Sequence, residues 1–530
     1  MTTSVAVRPS VVKEGLQCAA YKDSLELGTE ITLSKRPKPL SLDVRKIVMP
    51  DRVPEWKGIP LDMSYAERPF EYVARAVEPR HQVCLTGEGL GQLYVCFGAP
   101  GTGKSFLIRQ LLKQLAQGWD PEWGGLLLDP KQSLLDEIEG DPDISLPNSK
   151  DKTLETGSRL HIVGSKQKTN LLCSNLGPRD LGVALALAAE SAGISTKEPY
   201  WLNELKRIFG AGLALLEIVG RKLTLLNLAQ LLLGLTEEMK ANGERMSVLE
   251  GELFRSGTLA KTFDNEKARR LDRAISELGQ FTKSQGQNAD TVRSFVSQVL
   301  SPFLDPMFDY LSEESVETPI ADLIIEGGKW VLLHVPKSQL SVSRMVSALA
   351  KILFQRAALE RPIPVPEDPA HPARRIFLFV DEYAELASDL PGEGFGDSLF
   401  FSQARHFKVL SFIATQGVPM LENSGVKEAW KTILSNSAGK IFFRVADPDT
   451  ADLASKLLGE GNLIVSDKSV TQSQEGGNIQ KSEKLERRTI LTSDLFTTGL
   501  TRGQFAFLGT TDGGAGSFAT LHYVDGRENA

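Results

Sequence analysis

The stretch LYVCFGAPGTGKSFLIR, residues 93–109, constrains this chain more than any other. An apolar run from Leu93 to Phe97 enters Gly98-Ala99-Pro100-Gly101-Thr102-Gly103-Lys104-Ser105, and from Phe106 to Leu115 apolar residues recur at helical spacing. The octet fills G-x-x-x-x-G-K-[ST] at every fixed position, in the strand–loop–helix setting that the motif requires. Its glycines let the backbone fold tightly enough for successive N–H groups to point inward at a phosphate. The helix that follows adds the positive end of its dipole. Lys104 can reach the β- and γ-phosphates, and Ser105 can offer its hydroxyl to Mg²⁺. A nucleoside triphosphate is therefore expected to bind across Gly98 to Phe106, on an α/β fold.

The rest of the composition excludes more than it assigns. With 530 residues the chain can bury a large core and divide into two to four domains. A net charge of −7 gives no global basic field, so any nucleic-acid contact has to be local, as on the lining of a ring pore. Cys18, Cys84, Cys96 and Cys173 lack C-x-x-C spacing, which fits reduced thiols and argues against zinc or disulfide frameworks. The N-terminal segment lacks the basic-then-apolar form of a signal peptide. No apolar run approaches the roughly 20 residues of a membrane span. The expectation is a cytoplasmic chain with no intrinsic span, or one peripheral at the inner membrane through a partner.

Residues 1–90 carry prolines, isolated charges and short β-like runs, and suggest a partly extended N-terminal region without an assignable role. Residues 91–175 read as the first part of the nucleotide-binding core. There Leu126 to Leu128 form a buried strand ending in Asp129-Pro130-Lys131, and a parallel strand's end is where α/β proteins place ligand-contacting groups. An ordinary solvated strand end is the alternative. From 176 to 318 the texture is helical, with Trp201, Leu202, Leu205, Ile208, Phe209, Leu213 and Leu216 on one apolar stripe. This predicts an all-α domain inserted into the core. Its basic segment at 261–273 is interspersed with acids and reads as a solvated helix face rather than a phosphate contact.

Strands resume at Trp330, opening the second part of the core, 319–530. After a proline-rich loop comes Ile376 to Val380, a fully apolar run typical of a buried parallel strand, followed by Asp381 and Glu382. Behind a complete phosphate loop, Asp381 is expected to hold Mg²⁺ through its water shell and Glu382 to polarise the attacking water. A further strand, Val409 to Ala414, ends in Thr415-Gln416, where Gln416 can sense the γ-phosphate or merely serve a turn. Arg405, just before that strand, suits transition-state charge on phosphoryl oxygens, because its planar fork stays charged. A plain surface arginine is the other reading. Residues 464–487 suggest a mobile loop or a long hairpin.

Taken in order, these segments resemble the type IV secretion coupling ATPases of the TraD/TraG kind, within the wider group that includes FtsK and HerA. GAPGTGKS resembles the family's Walker A motif and LLLDPK its strand ending in Asp-Pro-Lys. EPYWLNELKRIFGAGLALLE is similar to the first helices of its all-α domain. FLFVDEYAEL, QARHFKVLSFIATQG and ILSNSAGKIFFRVADPDTADLASKLLG resemble its Walker B, arginine, glutamine and following segments. The resemblance implies a RecA-like P-loop core of the additional-strand type, mostly parallel, with an inserted all-α domain. It gives Lys104 and Ser105 to ATP and Mg²⁺, Asp381 and Glu382 to hydrolysis, Gln416 to γ-phosphate sensing and Arg405 to a neighbour's site. It implies a homo-hexameric ring threading single- or double-stranded DNA in conjugation or mobilisation, with relaxosome or secretion-channel proteins as further partners. Rival readings are a secretion-energising or protein-handling ATPase, a HerA-like DNA-processing motor, and a slow nucleotide-gated scaffold.

Overall fold

The computed structural model describes residues 90–116, 123–145, 159–164, 166–191, 193, 200–234, 251, 264–282, 285–363, 374–457, 459 and 492–509 with their side chains. It also describes the backbone of helix ends at 199 and 283 and of strands at 24–37, 70–76, 82–86, 237–239, 245–247, 460–471, 478–489 and 517–520.

Seven parallel strands form the centre: β1 (Leu93–Phe97), β2 (Gly124–Leu128), β3 (Leu160–Val163), β4 (Trp330–Leu333), β5 (Ile376–Val380), β6 (Val409–Thr415) and β7 (Gly439–Phe442). Their spatial order is β7-β1-β6-β5-β2-β4-β3. Strand β6 thus lies between the strand that feeds the phosphate loop and the strand that ends in Asp381. This is the additional-strand arrangement expected above. Strand β8 (Gln504–Gly509) pairs antiparallel with β7, and Ser517–Thr520 pairs with β8. Beyond it, Ser24–Pro37 joins the sheet by pairing Thr29 with Thr520, and Phe70–Ala76 and Gln82–Thr86 pair with that strand in turn. The β-like N-terminal runs are therefore extensions of the central sheet.

Side chains alternate across a strand, so each central strand feeds two cores. On one face Tyr94, Cys96, Leu127, Phe377, Phe379, Leu410 and Phe412 pack under helices α1 (Lys104–Leu115) and α2 (Ser133–Glu139). On the other, Val95, Phe97, Leu126, Leu128, Leu378 and Val380 belong to a core continuous with the helical region. That region holds α3 (Pro178–Ser191), α4 (Pro199–Ile218), α5 (Leu225–Leu233), α6 (Asn265–Lys283) and α7 (Gln287–Leu300). Local sequence explains its boundaries. Thr224 caps α5 by accepting the Asn227 N–H at 3.0 Å, and Gly234 ends it in the left-handed conformation (φ 63°). A short ribbon, Glu237–Met239 with Arg245–Ser247, interrupts the helices.

Helix α8 (Leu340–Glu360) joins the two regions. It packs on α3 on one side and on β2 on another, and is buried almost all round, down to its lysine, Lys351. Farther on, residues 464–487 fall within a long antiparallel pair, Glu460–Thr471 with Asn478–Thr489; residues 472–477 lie outside the described set. Among the described residues no helix is long and apolar enough to cross a membrane.

Candidate nucleotide site at the carboxyl edge of the sheet

Because the seven central strands are parallel, their carboxyl ends share one edge. The phosphate loop leaves β1 there, Asp129 follows β2, Asp381 and Glu382 follow β5, and Gln416 follows β6. In open α/β sheets this edge is where ligands bind.

The loop is held from several sides. The Gly98 N–H donates to the Thr415 carbonyl at 3.1 Å and the Ala99 N–H to the Arg444 carbonyl at 2.8 Å. The Gly503 N–H, just before β8, donates to the Thr102 carbonyl at 2.9 Å. A Cβ on Gly98 would stand 2.8 Å from both the Phe443 Cβ and the Thr102 Oγ1, so only glycine lets the loop pass this close. Gly103 has φ 122°, a conformation other residues rarely adopt, and it sets the start of α1. Lys104 is buried, its ammonium donating to the Gly98 carbonyl at 2.6 Å and the Ala99 carbonyl at 3.3 Å. Pro100 and Gly101 are exposed at the loop's tip, and Ser105 and Phe106 open the helix.

Ser105 on α1 reaches across β6: its Oγ donates to Asp381 Oδ2 at 2.6 Å. Burial raises the Asp381 pKa and the Glu382 charge adds to the rise, while the Ser105 hydrogen bond and Lys104 oppose it. Hydroxyl and carboxylate oxygens are hard donors of the kind Mg²⁺ takes, and Mg²⁺ is commonly held by one or two protein ligands plus substrate phosphates. Among the described residues no cluster of three or more His, Cys, Asp or Glu could hold a metal unaided. Ser105 and Asp381 supply two such donors side by side, which suits a cation whose remaining ligands come from a triphosphate.

Glu382 sits in the left-handed region at φ 53°, which turns the chain sharply after β5. Its carboxylate accepts from Gln416 Nε2, which stands 3.0 Å from each oxygen, and is ion-paired with Lys131 Nζ at 2.8 Å. Lys131 also stands 3.8 Å from Glu385, which Arg344 of α8 binds at 3.0 Å. Asp129, at the end of β2, is buried and accepts the N–H groups of Lys131 at 3.0 Å and Leu134 at 2.7 Å, fixing the turn that presents Lys131. Burial and then the neighbouring Asp381 charge push its pKa up to about 6.

The structure brings Lys104, Ser105, Asp381, Glu382 and Gln416 together, and leaves Arg405 apart. Arg405 is exposed and precedes β6, while Gln416 follows it. At about 3.3 Å per residue the intervening seven-residue strand spans roughly 23 Å. Arg405 therefore stands at the edge opposite its own chain's phosphate loop. Two features escaped the sequence reading: the partnership of Lys131 with Glu382, and the clamp that Gly503 places on Thr102. The Asp-Pro-Lys ending marked Lys131 as a strand-end candidate, whereas nothing near Gly503 signalled a contact some four hundred residues away along the chain.

Residues 375–498 match the family described as "TraM recognition site of TraD and TraG". Among solved structures, the bacterial conjugative coupling protein TrwBdeltaN70 in its unbound monoclinic form superposes with a TM-score of 0.53 at 16% identity, covering 83% of this chain and 88% of that one. The plasmid coupling protein TrwB with the non-hydrolysable ATP analogue ADPNP gives 0.54 at 16% identity, covering 82% and 85%. TrwB with ADP and Mg²⁺ gives 0.53 at 16% identity, covering 82% and 85%. A comparison with the curated proteins gives no match. The chain thus has the fold of the coupling protein, a P-loop core with a helical region, and within it residues 375–498 are similar to the TraD/TraG family segment.

Proposed function

We propose that this chain is a TraD/TraG-type coupling ATPase, a ring-forming motor that hydrolyses ATP with Mg²⁺ to move DNA in conjugative transfer or mobilisation. The observation that carries the ATPase reading is the Ser105–Asp381 hydrogen bond. It joins the phosphate loop to the acidic strand end across an intervening strand, with Glu382 and Gln416 beside it. The likeness to TrwB solved with ADPNP and with ADP and Mg²⁺ supports the same ligands here.

In this reading Mg²⁺, when bound, neutralises phosphate charge, and Ser105 and Asp381 hold it. Lys104 places its charge at the β- and γ-phosphates. Glu382 polarises the attacking water, and Gln416 holds the Glu382 carboxylate in line while sensing the γ-phosphate. Such catalysis is positioning and charge neutralisation, since phosphoryl transfer asks little covalent help. Arg405, at the far edge, acts in a neighbour's site, which makes a ring a requirement for full activity. The matched family's description extends the proposal to a relaxosome protein of the TraM kind as partner.

DNA as cargo is tested by fluorescence anisotropy of a labelled oligonucleotide at increasing salt. Phosphate contacts release counterions, so log K should fall linearly and steeply with log salt. A chain that shows no DNA binding at low salt, yet hydrolyses ATP, handles another polymer or gates a scaffold.

A further inference from the structure

Behind the catalytic edge, α8 carries a charge with no access to water: Lys351 is 0% exposed and paired at 2.6 Å with Asp397, also 0% exposed. Asp397 opens helix α9 (Asp397–Gln403), which ends two residues before Arg405. Its Oδ2 accepts from Lys351, from the Tyr383 hydroxyl at 2.7 Å and from the Ser388 N–H at 3.0 Å. Its Oδ1 accepts from Gln355 of α8 at 2.8 Å, and Lys351 also donates to the Leu386 carbonyl at 2.6 Å. Tyr383 directly follows Glu382 in the turn that Glu382 begins, and Ser388 lies just beyond that turn, bridged to Gly425. One carboxylate therefore gathers three segments: the turn presenting the hydrolytic glutamate, the helix leading to the arginine, and the helix packed on the inserted region.

A buried ion pair is a costly way to fill space, since apolar side chains of similar volume serve stability as well or better. What this pair supplies that apolar residues do not is direction, because each donor must meet the carboxylate at a fixed angle and distance. We propose that Asp397 is a positioning residue for hydrolysis, fixing the Glu382 turn through Tyr383, the segment just beyond it through Ser388, and the Arg405 segment through α9. The glutamate used in the chain's own site and the arginine offered to a neighbour's are then held in one body with α8. The arginine half of this proposal rests on the reading that Arg405 works in trans; the glutamate half does not.

Two experiments on the 530-residue chain separate these halves. The first is Tyr383→Phe, which deletes one donor to Asp397 and keeps the ring and the ion pair. Because misplacement by about an ångström can cost on the order of a hundredfold, kcat should fall about ten- to a hundredfold. KM, ATP binding and the thermal midpoint should stay near wild type, a split that loss of folding would not give. Unchanged kcat, or a raised KM with kcat intact, overturns the glutamate half. The second mixes Arg405→Ala protein with a donor whose own site is dead, under conditions of demonstrated subunit exchange. The donor is either Lys104→Ala alone or Lys104→Ala with Lys351→Met and Asp397→Asn, which removes both buried charges together. The first donor should restore activity and the second at most about a tenth of it. Equal restoration by two assembled donors overturns the arginine half. If the Lys104→Ala donor restores nothing, the trans reading of Arg405 is what fails, and the role of Asp397 stands or falls on Tyr383→Phe.

Discussion

The Ser105 hydroxyl donates a hydrogen bond to the carboxylate of Asp381 at 2.6 Å, although the two residues stand 276 positions apart in the chain. The contact exists because β1 and β5 run parallel, one strand apart, so that α1 starts over the tip of β5.

Lys104→Ala should abolish hydrolysis in a protein that still folds. The β/γ-phosphate charge would lose its nearest cation in a water-poor site, where such charges interact most strongly. Steady-state phosphate release checks this. Turnover near wild type would remove the whole site from the phosphate loop.

Glu382→Gln keeps the shape and a hydrogen-bonding amide but loses the carboxylate. ATP should bind with wild-type affinity while hydrolysis slows at least about a hundredfold, the low end for losing a general base. Equilibrium binding of a fluorescent ATP analogue, paired with single-turnover hydrolysis, reads both quantities. A collapse of affinity would instead make Glu382 a structural or metal-holding group.

Lys131→Met tests the ion pair that, together with the Gln416 hydrogen bonds, steadies Glu382. The expectation is a kcat about tenfold lower with KM within about twofold of wild type, since only the glutamate's aim is disturbed. A raised KM with unchanged kcat would show that Lys131 holds the nucleotide.

Asp129 gives a pH signature. Its pKa of about 6 in the fold lies above its ordinary value of 3.8, so the folded state binds more protons than the unfolded state between those limits. Its contribution to stability is therefore full below pH 3.8 and is lost as pH rises to about 6, by about 3 kcal/mol at most. Asn at this position has nothing to ionise. The stability of Asp129→Asn relative to wild type should thus rise between pH 4.5 and pH 7.5 in parallel unfolding curves. A difference that stays flat or falls with pH would contradict the assignment.

What the sequence could tell depended on how local each signal was. The phosphate loop and the Ile376 to Val380 strand announce themselves because glycine spacing and an unbroken apolar run are read within ten residues. The order of strands is not local. That β6 inserts between β1 and β5 came from the family resemblance and is visible only once the sheet is assembled. Lys351 lies among apolar residues at helical spacing, where a lysine reads as a solvent-facing charge. It is buried because α8 is enclosed between the sheet and α3, and its partner, Asp397, sits in a glycine-rich stretch with no pattern pointing to it. The N-terminal strands were weak for a similar reason: Thr29 finds its partner in Thr520, at the other end of the chain.

If ATP turnover in this chain serves DNA, DNA should change the ATPase rate of the purified protein. The rate would be measured in Mg²⁺·ATP alone, with single-stranded DNA and with double-stranded DNA, with Lys104→Ala protein as the blank. The expected result is a low basal rate that at least one form of DNA raises about tenfold or more, and no rate in the blank under any condition. A rate equal to the basal one with both forms of DNA, at a salt concentration where DNA is bound, would mean that ATP turnover here does not serve DNA.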